Sequence, residues 1–302
     1  MIELGCCAFN FGWLDLESAL RLVSQMGFRY VDIGANSPTA QVNQEAAAAD
    51  PARLGAEIRE AARRHGLEPV ELFVLTIHVD GQPVDVNHPD GALRRRLLQR
   101  FRGLCQCAAA AGMQSVLGLP GKLQPGWEAE QSWQVAAEML TEMVAVARAE
   151  GVHFNLEAAK GSLLEHPAAA LRMAQQVPGL GYTIDYGHFI GQGIAQEEVT
   201  PLFAYAPHIH GKQARPGYLK CMCHEGTVDY AAVIRELRAR RWDGIIAMEC
   251  IGRLLPPANE PAYQNVRVTG EAEPPTSGLL NHPAFQTVQL AYELQRILNS
   301  AG

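Results

Sequence analysis

One pattern recurs along most of the sequence: an amphipathic stretch typical of a helix reaches a glycine, and a short run of β-branched, aromatic and other apolar residues follows. Glycine closes a helix in the left-handed conformation at the lowest cost, so each instance predicts the end of a helix and the start of a strand. The glycines are Gly27, Gly66, Gly112, Gly151 and Gly244. This alternation predicts an α/β protein with a parallel sheet.

Eight strands are predicted, each followed by a helical stretch. Eight such units without a long gap favour a closed (β/α)8 TIM barrel over an open doubly wound sheet, and no Gly-x-Gly-x-x-Gly sequence follows the first strand. We therefore expect residues 1–302 to form one domain, with helices that begin at Asp50-Pro51 and His166-Pro167. The predicted strands are Ile2–Ala8, Tyr30–Ile33, Val70–Leu75, Ser115–Leu119, His153–Glu157, Tyr182–Asp185, His208–His210 and Ile245–Glu249.

The composition changes after the eighth predicted strand. Residues 252–281 contain several prolines and scattered charges and predict a long loop, whereas residues 282–299 predict a closing helix. This loop leaves the barrel at the face where barrel active sites lie. Its apolar residues, which include Leu254 and Tyr263, are too numerous for a solvated linker. We expect it to cover the mouth of the barrel or to contact a partner subunit.

The overall charge argues against several classes of partner. A net charge of -7 does not fit a protein that binds the phosphate backbone of nucleic acids. No stretch approaches the ~20 apolar residues of a membrane span, and the first residues lack the features of a signal peptide. We therefore expect a cytoplasmic protein whose partner is a small molecule. The sequence leaves open a homo-oligomer, either a dimer or a tetramer.

Metal-ligand side chains end four consecutive predicted strands: Glu157, Asp185, His210 and Glu249. Each carboxylate alone could cap the next helix or pair with a basic residue. The C-terminal ends of barrel strands meet at one face, however, and three carboxylates that converge there would repel each other strongly without a cation. Three carboxylates and one imidazole favour Mn²⁺, with Mg²⁺, Co²⁺ and Zn²⁺ as the alternatives.

Several other polar residues follow the predicted strands and are candidates for substrate binding. Lys160 and Lys212 each lie close behind a predicted ligand and could bind a phosphate or polarise a carbonyl, although surface lysines are common. His78 and Phe9 follow strands that reach the same face and could contact a sugar. The segment from Gln213 to Glu225 is too irregular to place.

Taken together, five segments resemble the xylose-isomerase-like barrel superfamily, whose sugar isomerases and epimerases place Glu, Asp, His and Glu on these same strands. The segments are Asn155-Leu156-Glu157, Ile184 through His188, His208-Ile209-His210, Glu225 through Tyr230, and Trp242 through Glu249. The resemblance implies that His210, rather than His208, is the ligand and that His188 contacts the substrate. Arg215 is the nearest candidate for the family's substrate-binding arginine, at a spacing that is not the family's.

The resemblance implies a metal-dependent isomerase or epimerase that acts on a ketose, a sugar phosphate or a related polyol. Glu157 or Glu249 would remove the proton beside the carbonyl to give a cis-enediolate, and the place of proton return would decide between epimerisation and isomerisation. Two alternatives stay open: a lyase or C-glycoside-cleaving enzyme acting on a 3-keto-sugar, and a sugar-binding barrel without turnover. The superfamily's DNA-repair nucleases need extra histidines, which the second strand lacks.

Overall fold

The computed structural model describes residues 1–35, 41–255, 260–273 and 279–300. Eight parallel strands close into a barrel in which each strand pairs with the next along the chain and the eighth pairs with the first. The strands are β1 Ile2–Cys7, β2 Tyr30–Gly34, β3 Glu68–Leu75, β4 Ser115–Gly118, β5 His153–Leu156, β6 Gly181–Asp185, β7 His208–Gly211 and β8 Gly244–Met248. The barrel predicted from the sequence is confirmed.

Helices surround the barrel and cover the outward apolar side chains of its strands. Both expected starts at a proline are confirmed, because Pro51 and Pro167 are the first residues of their helices. The helices are α1 Leu16–Gln25, α2 Gln44–Ala49, α3 Pro51–Arg64, α4 Gly91–Ala111, α5 Ala129–Ala149, α6 Pro167–Gln176, α7 Tyr186–Ile190, α8 Gln196–Val199, α9 Tyr230–Ala239 and α10 Pro283–Ser300. Among the described residues, no helix is long and apolar enough to cross a membrane.

The glycines that predicted the helix ends have two different roles in the structure. Gly27, Gly66, Gly112 and Gly151 have positive φ angles of 90°, 69°, 84° and 80°, as a left-handed helix end requires. The prediction for Gly244 is wrong, because this residue begins β8 and Arg241 is the residue after α9 with positive φ. A Cβ atom at Gly244 would overlap the carbonyl oxygen of Pro207, so close approach of the backbone requires glycine there.

The segment predicted as a long loop after β8 contains regular structure in its described part. Its strands pair in two antiparallel sheets, Gly252–Leu255 with Glu260–Tyr263 and Val266–Arg267 with Tyr218–Lys220. Residues 256–259 and 274–278 of the predicted loop lie outside the described residues. The closing helix begins at Pro283, next to its predicted start.

The polar side chains of the barrel interior form two layers. Residues two apart on a strand share a face, so each inward-facing residue is followed by another one two positions later. The lower layer includes Asn155, Thr183 and His208, and the upper layer includes Glu157, Asp185 and His210. The register of β6 and β7 places Asp185 directly beside His210.

Candidate active site

The four predicted metal ligands lie together at the C-terminal end of the barrel. Glu157 and Glu249 each continue the strand ladder by one residue, because their backbone N–H groups donate to Gly118 and Gly211 at 3.0 and 2.9 Å. His210 Nδ1 lies 3.1 Å from Glu249 Oε2 and 3.7 Å from Glu157 Oε1. All three side chains are buried.

Asp185 completes the group from β6 and is held by the start of the following helix. Its Oδ1 accepts a hydrogen bond of 2.7 Å from the Gly187 N–H, which caps α7. Its Oδ2 lies 3.5 Å from His188 Nε2, and the same nitrogen lies 3.5 Å from Glu157 Oε2. The strand end therefore brings Asp185 and His188 to Glu157 from one side.

His188 is oriented by the backbone of the loop after β5. Its Nδ1 accepts a hydrogen bond of 3.3 Å from the Lys160 N–H. Because a backbone N–H can only donate, Nδ1 of a neutral His188 is the acceptor and Nε2 carries the proton. The Nε2–H then points toward the carboxylates of Glu157 and Asp185, which makes His188 a donor in this arrangement.

The Lys212 ammonium lies among the carboxylates of the upper layer. Its Nζ contacts Asp185 Oδ2 and lies 3.3 Å from Glu249 Oε1. Burial disfavours the charged form, but the Asp185 and Glu249 carboxylates raise the pKa of Lys212 above its ordinary value. Lys212 thus carries a positive charge where the three carboxylates would otherwise repel each other.

The donor atoms fit a divalent cation in addition to Lys212. Among the described residues, His210 Nδ1 and Glu249 Oε2 are buried and have no hydrogen-bond partner. Buried acceptors without a donor cost free energy, and a cation between them would remove that cost. Carboxylate oxygens and one imidazole nitrogen are ligands that Mn²⁺ and similar ions accept. Glu157, His210 and Glu249 bring donor atoms within 4.8 Å of one another, and Asp185 forms a second such group with Glu157 and His188.

Asp32 on β2 contacts the opposite side of the His210 ring. Its Oδ2 lies 3.4 Å from His210 Nε2 and 2.7 Å from His208 Nε2. Burial favours the neutral acid, but His208 and His210 hold the pKa of Asp32 below its usual value. A carboxylate behind the far nitrogen of a metal-binding imidazole fixes the ring and leaves Nδ1 for the metal.

Glu71 is the centre of the lower layer and is already satisfied by protein donors. Its carboxylate accepts hydrogen bonds from Ser115 Oγ at 2.7 Å, Asn155 Nδ2 at 2.8 Å and Thr183 Oγ1 at 2.9 Å. Asp32, Glu71, His208 and His210 are close enough to hold an ion. Since Glu71 has its donors in place, we interpret this lower group as a hydrogen-bond network that supports the upper one.

A cavity of about 380 Å³ opens above the upper layer. Glu157, His188, Lys212 and Glu249 line it. The rings of Phe9 and Phe73 line it as well and stack at 4.0 Å between centroids, with the Phe73 ring 5.6 Å from that of His210. The remaining lining residues come in part from outside the barrel strands and include Leu219, Lys220, Ile251, Arg253 and Val266.

The structure brings only some of the predicted substrate contacts to this cavity. His188 and Lys212 line it, whereas Lys160 has an exposed side chain and reaches the site through its backbone. The Arg215 guanidinium stacks on the ring of Tyr218 at 3.7 Å and does not line the cavity. His78 lies in the short strand Ile77–Val79 and is likewise not among the lining residues.

Sequence reasoning missed two cations and the lower polar layer. Lys220 falls in the segment that had no readable pattern, and Arg253 lies in the segment predicted as a loop. The lower layer did carry a signal, because Asn155, Thr183 and His208 are polar residues two positions before a predicted ligand in otherwise apolar strands. Alternation on a strand places such residues on the same inward face.

Comparison with known proteins identifies the family of this barrel. A model of the family described as xylose isomerase-like TIM barrel matches residues 20–271, which is well over half of the chain. The inosose isomerase of Bacillus velezensis is 22% identical over 254 residues, covering 78% of this chain and 83% of that protein. The resemblance inferred from the sequence motifs is confirmed.

Solved structures show the same fold at low sequence identity. An L-ribulose 3-epimerase superposes with a TM-score of 0.73 at 17% identity, covering 100% of this chain and 97% of that one. A 3-keto-D-glucoside 4-epimerase from E. coli superposes with a TM-score of 0.63 at 15% identity, covering 82% of this chain and 92% of that one. At this identity the likeness is evidence for the fold alone.

Proposed function

Because the chain belongs to the xylose isomerase-like TIM barrel family, we propose that it is a divalent-metal-dependent sugar isomerase or epimerase. The observation that carries this proposal is the convergence of Glu157, Asp185, His210 and Glu249, with His210 Nδ1 and Glu249 Oε2 buried and without hydrogen-bond partners. The relatives described above support it, since they are an isomerase and two epimerases by name. We propose Mn²⁺ as the ion, with Mg²⁺, Co²⁺ and Zn²⁺ as alternatives.

The positions of the carboxylates relative to the cavity suggest which of them transfer protons and which only bind the metal. Glu157 and Glu249 line the cavity, so their oxygens can reach a substrate, whereas Asp185 and His210 lie buried beneath them. We assign proton transfer to Glu157 and Glu249. When bound, the metal ion would act as a Lewis acid on the sugar carbonyl and acidify the carbon beside it.

One of these two carboxylates takes the proton from the carbon beside the carbonyl. Return of the proton by the other carboxylate to the opposite face of that carbon would epimerise it, and return to the neighbouring carbon would isomerise the sugar. A positioned base of this kind contributes about 10²- to 10⁴-fold to a rate. We assign metal binding to Glu157 Oε1 and Glu249 Oε2, which lie 3.7 and 3.1 Å from His210 Nδ1.

The other lining residues bind and orient the sugar. The His188 Nε2–H faces Glu157 and Asp185 and can donate to a substrate oxygen that lies between them. Lys212, which contacts Asp185 and Glu249, also lines the cavity and can donate to a substrate oxygen. The stacked Phe9 and Phe73 rings offer an apolar surface to the C–H face of a sugar and exclude water there.

The test is deuterium exchange with protein of defined metal content. We expect EDTA-treated protein to bind about one Mn²⁺ per chain, measured by elemental analysis after dialysis. We expect the loaded protein in D₂O to place deuterium on the carbon beside the carbonyl of a ketose, a keto-glycoside or an inosose, detected by mass spectrometry and NMR. Failure to bind a divalent ion, or exchange that EDTA does not affect, would contradict the proposal.

The same experiment separates the two alternative functions. A lyase acting on a 3-keto-sugar would release the group on the carbon next to the deuterated position, which NMR detects as a new product. A barrel that only binds sugars would retain metal and ligand and show no deuterium uptake at all. Either result would be compatible with the proposed metal site but would contradict the proposed isomerisation or epimerisation.

A further inference from the structure

Two basic side chains that no prediction singled out lie in the wall of the active-site cavity. Lys220 ends the short strand Tyr218–Lys220, and Arg253 lies in the strand Gly252–Leu255. Both line the same cavity as Glu157, His188 and Glu249. The cavity therefore has carboxylates at the barrel ends and cations on the segments outside the barrel.

Lys220 is held in place by contacts that leave its charge uncompensated. Its Nζ donates a hydrogen bond of 2.7 Å to the Ile251 carbonyl oxygen and lies 4.6 Å from the centre of the Tyr263 ring. One carbonyl and one ring face leave N–H donors of the ammonium for a further partner. Burial, and next the Lys212 ammonium, lower the pKa of Lys220 to about 8, while Glu249 acts in the opposite direction.

Neither cation has a carboxylate partner in the part of the chain whose side chains the structure describes. No carboxylate oxygen there lies within 4.0 Å of the Lys220 ammonium or the Arg253 guanidinium, whereas Lys212 has two carboxylates within that distance. Two cations that line one cavity without a carboxylate partner resemble a site for an anion.

We propose that the substrate is a sugar derivative with an anionic group, a carboxylate or a phosphate, which Lys220 and Arg253 bind while its carbonyl end lies at the metal ligands. This inference rests on the proposed function and narrows its substrate class. Arginine donates two parallel N–H groups to either anion, and the lysine ammonium adds a point charge. The ligand set selects the reacting end of the substrate and the two cations select the other end.

The first experiment compares paired substrates in the deuterium exchange assay. Each pair consists of a neutral ketose and its terminal phosphate, or a neutral ketose and the keto acid that carries a terminal carboxylate. We expect kcat/KM to be at least about 100-fold higher for the anionic member of one of these pairs, and the pair that shows it distinguishes phosphate from carboxylate. Equal kcat/KM for the neutral and anionic members of both pairs would overturn the proposal.

Variants at the two cations test whether they cause the preference. We expect Lys220→Met and Arg253→Gln each to lower the ratio of anionic to neutral kcat/KM by about tenfold, since each removes a charge-assisted hydrogen bond. The matched controls are Lys122→Met and Arg29→Gln, which remove half-exposed or exposed cations paired with Asp85 and Glu68 on other surfaces. The ratio should not change in either control. An unchanged ratio in both cavity variants would mean that other residues bind the anion.

An equilibrium measurement keeps the inference testable if no substrate turns over. Inorganic phosphate is titrated calorimetrically into the Mn²⁺-loaded wild-type protein and into the Lys220→Met, Arg253→Gln double variant. We expect at least about tenfold weaker binding to the double variant, with circular dichroism showing both proteins folded. Equal affinity would overturn the anion site. Weaker binding without any deuterium exchange would support the anion site and contradict the proposed reaction.

Discussion

The two polar layers inside the barrel contain the same kinds of residue but differ in how their charges are satisfied. In the lower layer, the Glu71 carboxylate accepts hydrogen bonds from Ser115, Asn155 and Thr183. In the upper layer, His210 Nδ1 and Glu249 Oε2 face each other at 3.1 Å without a hydrogen-bond partner among the described residues. Composition alone would not separate these layers.

The difference favours metal binding in the upper layer, because Glu249 Oε2 there is buried without a hydrogen-bond partner whereas Glu71 has three donors. In the lower layer the Glu71 carboxylate has its donors in place, so a cation bound to it would have to displace hydrogen bonds, while Asn155 Oδ1 and Asp32 Oδ1 nearby are buried without a partner. In the upper layer the Lys212 ammonium contacts Asp185 and Glu249, and His188 Nε2 lies 3.5 Å from Glu157 and from Asp185. Removing a residue from each layer should therefore have different consequences for activity, stability and metal binding.

The largest effect is expected from the upper-layer carboxylates that line the cavity. Glu157→Gln and Glu249→Gln should each lower turnover by at least about 10³-fold, because each removes a ligand charge and a candidate base. Deuterium exchange with the loaded protein measures the loss. The matched control is Glu142→Gln on the exposed face of α5, which should leave turnover unchanged. Near-normal turnover in either active-site variant would rule out a mechanism with two carboxylates.

Replacing the Lys212 ammonium should destabilise only the metal-free protein. Lys212→Met leaves Asp185 and Glu249 buried without their positive partner, which costs about 3 kcal/mol in the free energy of unfolding. Mn²⁺ should restore most of that stability, because the ion neutralises the same oxygens. Urea unfolding with EDTA and with Mn²⁺ measures both values. A loss of stability that Mn²⁺ does not reverse would mean that the upper layer does not hold the ion.

The matching change in the lower layer should be insensitive to metal. Glu71→Ala leaves Ser115, Asn155 and Thr183 without their shared acceptor, which should cost about 2 kcal/mol with and without Mn²⁺. The same urea titrations apply, and the metal content should remain at the wild-type level. If Mn²⁺ rescued this variant as it rescues Lys212→Met, the proposed contrast between the two layers would be wrong.

The last effect, a change in metal affinity without loss of the fold, is expected where the layers meet. Asp32→Asn keeps the size of the side chain but removes the charge 3.4 Å behind His210 Nε2. We expect metal affinity to fall by about 10- to 100-fold, because Asp32 favours the ring orientation that leaves Nδ1 for the metal. Competition with a fluorescent chelator measures the affinity. Unchanged affinity would show that packing alone orients His210.

The segment that follows β8 shows which structural features the sequence could predict and which it could not. The segment from residue 252 was expected to cover the mouth of the barrel or to contact a partner subunit, and its residues Arg253 and Val266 line the cavity. Its pairing was not predicted, because Val266–Arg267 pairs with Tyr218–Lys220, more than 40 positions earlier in the chain. Partners so distant in sequence leave no local periodicity.

The predicted substrate-binding residues also show that position along the chain predicts the location of some side chains but not of others. His188, which the resemblance implied as a substrate contact, follows Asp185 by three positions, and one turn of α7 brings its Nε2 to 3.5 Å from the Asp185 carboxylate. Arg215 was chosen by its nearness to His210 in the chain, but its side chain stacks on Tyr218 instead. Once the chain leaves a strand, its path depends on the surfaces it meets.

The sequence by itself determined the barrel and the level at which Glu157, Asp185, His210 and Glu249 lie. Helix ends, strand patterns and the alternation of side chains are local properties, and a closed parallel sheet brings all strand ends to one face. Tertiary structure alone decided which polar groups come together: Glu71 with its three donors, Lys212 between two carboxylates, and Lys220 and Arg253 in the wall of one cavity. Those contacts depend on register and on distant segments folding back, where the free energy of burying charge selects the partners.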